Sequence, residues 1–114
     1  MKGETDVFLF GKKEMNVEAA KRFWAWFEEN EAWLIETMNG PNAIDAVGAV
    51  DPLICPVFPY EKPEKIQFQM GANNGVNEFF FFHQGRKALE RDGEALGKMM
   101  PDGLKNRWKF VLER

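Results

Sequence analysis

The stretch IQFQMGANNGVNEFFFFH, residues 66–83, restricts the fold more than any other part of the chain. Residues 66–70 alternate apolar and amide side chains, the period of a strand with one apolar face. Asn74-Gly75 is the strongest short hairpin signal, because a two-residue type I′ turn needs positive φ at both central positions. Residues 76–83 then return as the partner strand, and they contain four consecutive phenylalanines, Phe79 to Phe82. Successive side chains of a strand point to opposite faces, so two rings lie on each side of the sheet.

The turn length decides which two. A two-residue Asn74-Gly75 turn sets Met70 opposite Phe79 and Phe68 opposite Phe81 on one face. Gln69 then stands opposite Phe80, and Gln67 opposite Phe82, on the other. A three-residue loop reverses the parity and sends Phe79 and Phe81 to the glutamines. Either register leaves two phenylalanines beside two glutamines. Burying two such rings is worth on the order of 3–6 kcal/mol, so this mixed face is expected to be covered. Three candidates cover it: the N-terminal VFLF segment, a second copy of the chain, or a distinct protein partner or elongated ligand.

Around this hairpin the pattern is mostly helical. Residues 16–41, NVEAAKRFWAWFEENEAWLIETMNGP, read as one helix with Asn16 as N-cap, Glu18 at the positive end of the dipole and Gly40-Pro41 as its stop. Val17, Ala20, Trp24, Phe27, Leu34, Ile35 and Met38 share one side at helical spacing; Trp26 and Trp33 share another. Glu31 falls on the side that should be apolar, which predicts a carboxylate that is solvated or salt-bridged to a lysine or arginine of the last helix, with a polar pocket as the alternative. Residues 42–59 read as a weaker helix with Ile44, Val47 and Val50 inward, and Pro52 opens a second short turn. Residues 85–100 are amphipathic, with Leu89, Leu96 and Met99 or Met100 inward. Gly93 and Gly97 either weaken this helix or let it approach the sheet closely. Residues 106–114 alternate again, placing Trp108, Phe110 and Leu112 toward the helices and Lys109, Val111 and Glu113 on the mixed face. Residues 6–11, DVFLFG, form a short β-prone run.

The predicted fold is α+β, a two-layer sandwich with helices on one face of a three- or four-stranded, mainly antiparallel sheet. A chain of 114 residues fits one domain, 1–114, with residues 1–15 as a strand or an ordered arm. With 14% aromatic residues it is globular rather than disordered. The net charge of −3 counts against a general nucleic-acid binder, which carries a basic field. The single cysteine, Cys55, allows no internal disulfide and suits a reducing, cytoplasmic setting. The apolar part of the N-terminus is too short for a signal peptide core or a membrane span.

Phe23-Trp24-Ala25-Trp26-Phe27 followed by Glu28-Glu29-Asn30 resembles the FWxWF first-helix signature of small bacterial proteins of unknown function. IQFQMG (66–71), the Asn-Gly hairpin, the aromatic return strand and RWKF (107–110) after a Met-Pro turn extend the likeness over about residues 16–114. The resemblance implies the fold and carries over no catalytic residue or cofactor.

No residue pattern specifies a reaction. Cys55 lacks a histidine beside it in sequence, and His83 alone makes no metal site, which needs three or four ligands. GANNG leads into a strand rather than a helix, so it is a turn and not a phosphate loop. No cofactor or metal is expected. The sequence favours a non-enzymatic interaction or regulatory domain that self-associates through Phe80, Phe82, Gln67, Gln69 and Val111. The alternatives are a small enzyme using Cys55 or His83 with a glutamate, and a weak single-stranded nucleic-acid binder on the aromatic sheet.

Overall fold

The structure, a computed structural model, describes residues 13–114. The predicted strand or arm at 6–11, and any covering role for VFLF, lie outside the described residues. Four helices, α1 (Val17–Glu29), α2 (Glu31–Met38), α3 (Ala43–Ile54) and α4 (Lys87–Lys98), accompany three strands, β1 (Gln67–Asn73), β2 (Val76–Phe82) and β3 (Trp108–Leu112). The fold is α+β, as the pattern predicts.

The hairpin adopts the two-residue turn. Asn74 has φ 54° and Gly75 φ 81°, the left-handed values that a type I′ turn requires. The register follows: Met70 pairs with Phe79, Gln69 with Phe80, Phe68 with Phe81 and Gln67 with Phe82. Gly71, Ala72 and Asn73 belong to the strand, not to a longer loop. The strand order is β1-β2-β3, and β3 runs parallel to β2, which makes the sheet mixed. A parallel neighbour needs a long crossover, and α4 with its flanking turns supplies it. The phenylalanine strand is therefore central, where a continuous apolar run belongs.

Phe79 and Phe81 are fully buried on the helical side. Phe79 meets Phe23 and Phe27 of α1 edge-on, with ring centroids 5.8 and 6.0 Å apart, and Phe81 stacks on Phe58 at 5.0 Å. Aromatic pairs in these arrangements each add about 0.5–1.5 kcal/mol beyond their burial. Trp24 donates its indole N–H to the Leu96 carbonyl at 2.9 Å, which ties α1 to the end of α4. Gly93 and Gly97 allow the close approach of α4: a Cβ at Gly93 would lie 2.7 Å from the Phe81 ring, and one at Gly97 would lie 2.5 Å from the Phe110 ring.

Three local expectations change. Residues 16–41 form two helices, because Asn30 leaves helical geometry (φ −109°, ψ 16°) and both its backbone N–H and its side-chain amide donate to the Trp26 carbonyl. The predicted N-cap holds, with Asn16 accepting from the Ala19 N–H at 3.0 Å. Val17 and Ile44, expected inward, are 48% and 75% exposed. The buried stripe of α3 is instead Ala46, Val50 and Ile54, one residue every four. Pro52 lies inside α3 rather than opening a new turn. Pro52 has no N–H to donate to the Gly48 carbonyl, so the helix loses that bond, and the buried Val50 and Ile54 anchor the turns on either side.

Candidate functional site

All four helices leave one sheet face uncovered by helix. The period-two alternation and the register assign to it Gln67 and Gln69 from β1, Glu78, Phe80 and Phe82 from β2, and Lys109 and Val111 from β3. Gln69, Phe80 and Val111 form one row across the sheet, and Glu78 and Lys109 pair in the next. The five residues singled out from sequence therefore share one face. The Phe80 and Phe82 rings stack along β2 with centroids 5.9 Å apart and planes 22° from parallel. Both rings and Val111 are half-buried, whereas Gln67, Gln69 and Lys109 are exposed. Gln67 donates to the Glu64 carbonyl at 3.0 Å; among the described residues the Gln69 amide has no hydrogen-bond partner.

Cys55 and His83 do not form a pair. The Cys55 thiol sits 3.8 Å from Asp51 Oδ1 and 3.8 Å from the Pro63 carbonyl. Burial, then the neighbouring Asp51 carboxylate, push this thiol up to about 11, the opposite of what a nucleophile needs. Both nitrogens of His83 are engaged elsewhere. Nδ1 accepts from the Gly85 N–H at 3.0 Å, so Nε2 carries the proton and donates it to the Glu113 carbonyl at 2.9 Å. The Glu113 carboxylate does approach Nδ1, at 3.9 Å, but the same Oε1 accepts from the Gln84 N–H at 2.8 Å. The ring is 7% exposed and offers no free nitrogen to a substrate. His83 thus pins β2 to the end of β3. Among the described residues, no group of three His, Cys, Asp or Glu side chains is placed to hold a metal ion.

Two polar clusters complete the map. Glu31 is held by Arg107, with Arg107 Nε 2.6 Å from Oε2 and Nη2 2.8 Å from Oε1. The bidentate guanidinium keeps the Glu31 carboxyl below its ordinary value, against the opposing effect of burial. The buried Trp108 indole N–H, close by, also lowers that carboxyl, though it makes no hydrogen bond of good geometry. The predicted oddity at Glu31 is thus a salt bridge, with its partner from the segment before β3 rather than from α4. The second cluster escaped the sequence reading. Asp92, 6% exposed on α4, accepts from Tyr60 Oη at 2.7 Å and from Arg91 Nε at 2.9 Å. Arg91 also donates to the Lys13 carbonyl, which fastens the start of the described chain to α4. The available signal was a carboxylate at an inward position of an amphipathic helix, in line with Leu89 and Leu96.

Among the described residues no helix is long and apolar enough to cross a membrane. Of the two tryptophans that share the other side of the helical run, Trp26 packs against the core and Trp33 is 43% exposed. Comparison with protein-family models, with curated proteins and with solved structures finds no match for this chain.

Proposed function

We infer that the protein is a non-enzymatic interaction domain that self-associates through the Phe80/Phe82 face of its sheet. The observation that carries this reading is the stacked pair of Phe80 and Phe82 on the face opposite the helices, bordered by exposed amides. A two-fold interface uses the same patch twice, so the patch must complement itself. Glutamine carries both donor and acceptor groups, and Gln67 and Gln69 can pair with their own copies. Glu78 and Lys109 lie side by side, which lets each meet the opposite charge on a second molecule. The rings supply the apolar centre; since they are already half-buried, covering the remainder is worth about half of the full-burial value, roughly 1.5–3 kcal/mol. The resemblance to small bacterial proteins with an FWxWF helix bears on the fold and adds no site to this reading.

The test is mass in solution across a concentration series, for the native chain, for Phe80→Glu with Phe82→Glu, and for Gln69→Glu. The native chain is expected to dimerise with rising concentration, and both variants to stay monomeric. Gln69 is exposed, so its variant keeps the fold and isolates the interface. A native chain that stays monomeric to millimolar concentration, or a Gln69→Glu chain that dimerises as the native one does, would overturn the reading.

A further inference from the structure

The sequence between Phe23 and Glu61 contains seven carboxylates and no lysine or arginine; all 15 basic residues lie outside it. This segment contains the whole of α2 and α3. Two of its carboxylates are neutralised by partners from outside the segment, Glu31 by Arg107 and Glu61 by Arg86. Glu36 and Asp45, one on each helix, have no ion pair among the described residues. The same hairpin carries two of the large apolar side chains left exposed, Trp33 at 43% on α2 and Ile44 at 75% on α3. Trp33, Glu36 and Asp45, with Gly40, Pro41 and Asn42, line a surface cleft of about 270 Å³.

We propose that the α2–α3 hairpin is a docking surface for a basic segment of another protein, with an arginine or lysine side chain seated between Trp33, Glu36 and Asp45. The cavity is smaller than the roughly 300–1,000 Å³ of small-molecule sites and suits a single side chain. An indole face attracts a cation, more strongly where water is partly excluded, and two carboxylates beside it supply the opposite charge. Ile44, next to Asp45 in sequence, gives an apolar neighbour of the cation a place to land. The carboxylates of the segment that lack an ion pair, with no lysine or arginine among them in sequence, steer a basic partner toward it and repel nucleic acid and anionic membrane surfaces. This surface lies on the helical layer and is independent of the sheet face, so either can fail alone.

The probe is a capped peptide, Leu-Arg-Arg-Leu-Arg, titrated into the isotope-labelled full chain, with the Glu-substituted peptide as control. Saturable shifts are expected in the Trp33 indole N–H and in the backbone amides of residues 36–45, weakening as salt is added. The Glu36→Gln, Asp45→Asn double variant changes two surface side chains, keeps the fold and is expected to bind ~10-fold or more weakly. The Phe80→Glu, Phe82→Glu chain is expected to bind the basic peptide as the native chain does, whatever its own mass. Shifts centred elsewhere, equal binding by the double variant, or equal binding of the Glu-substituted peptide would each overturn the proposal.

Discussion

Replacing Gly93 by alanine tests how α4 is allowed to sit on the sheet. In an open helix interior, alanine is more favourable than glycine by about 1 kcal/mol. At Gly93 the new methyl would stand 2.7 and 2.8 Å from two carbons of the Phe81 ring and 3.0 Å from Leu112 Cδ1. The Phe81 ring cannot step aside. It is fully buried and stacked on Phe58 at 5.0 Å, with Phe110 on another side at 6.5 Å. Overpacking of a well-filled core costs about 1–3 kcal/mol, and a ring bounded on two sides puts this site toward the upper end. The net expectation is a loss of about 1–2 kcal/mol. Gly48 is the control. It also lies inside a helix, is exposed, and has nothing within 4 Å of a built Cβ. Gly48→Ala should therefore gain about 0.5–1 kcal/mol. The two variants are compared by guanidinium unfolding followed by far-UV circular dichroism, at equal m-values. The contrast between them is the measurement, since both remove the same backbone freedom. A Gly93→Ala protein as stable as the native chain would show that the glycine does not serve the helix–sheet contact.

Three further outcomes follow from the polar clusters. Tyr60, the only tyrosine, is held protonated well above its ordinary range by burial and by its bond to Asp92. Absorbance at 295 nm should stay flat through pH 10–11 in the folded protein, and stability should fall as pH rises past the unfolded tyrosine value of about 10; tyrosinate appearing near pH 10 without unfolding would contradict the cluster. Cys55, raised to about 11, should hold only ~0.1% thiolate at pH 8 and react with a disulfide reagent far more slowly folded than unfolded; a fast folded-state reaction would reopen its candidacy as a nucleophile. Glu31 has a lowered carboxyl, so its pairing with Arg107 contributes stability above the unfolded value near 4.5, which is lost as pH falls through the lower folded value. Glu31→Gln should therefore be less stable than the native chain at neutral pH and converge with it on acidification, read by paired melting curves; a gap that persists at low pH would remove the ion pair as its cause.

What the sequence discloses about this fold depends on how local the deciding interaction is. Asn74-Gly75 forces its own turn, and the turn forces the register, so the faces of Phe79 to Phe82 follow from residues within one hairpin. The break at Asn30 is less visible, because the hydrophobic period runs through it and only an amide bond back to Trp26 marks it. The inward face of α3 was misread at Ile44 because a short apolar helix offers several stripes of similar strength. What chooses among them is the position of α1 and α2, which both pack against α3 and leave Ala46 and Val50 buried. The parallel setting of β3 is likewise a property of the β2-α4-β3 crossover, and alternation along 106–114 says nothing about direction.

The polar clusters carry the same argument further. Glu31 and Arg107 are 76 residues apart, and Tyr60 and Asp92 are 32 apart. No pairing rule along the chain reaches across such distances. Each cluster nevertheless left a local mark, a carboxylate on the buried side of an amphipathic helix. A charge in that position costs several kcal/mol unless a partner reaches it, so its presence predicts a partner without naming one. At Glu31 the pattern predicts a salt bridge, but the partner is Arg107 from the segment before β3 and not a residue of the last helix. For Asp92 the partner, Tyr60, comes from a loop 32 residues away that no pattern on the helix points to. The sheet face differs in kind. Its residues are set by parity alone, and Phe80 and Phe82 would share a side with Gln67 and Gln69 whatever the rest of the chain did. Their placement on the side opposite the helices needed one non-local fact, that α1 and α4 both take the Phe79/Phe81 side, and two glycines on α4 decide that for one of the two helices.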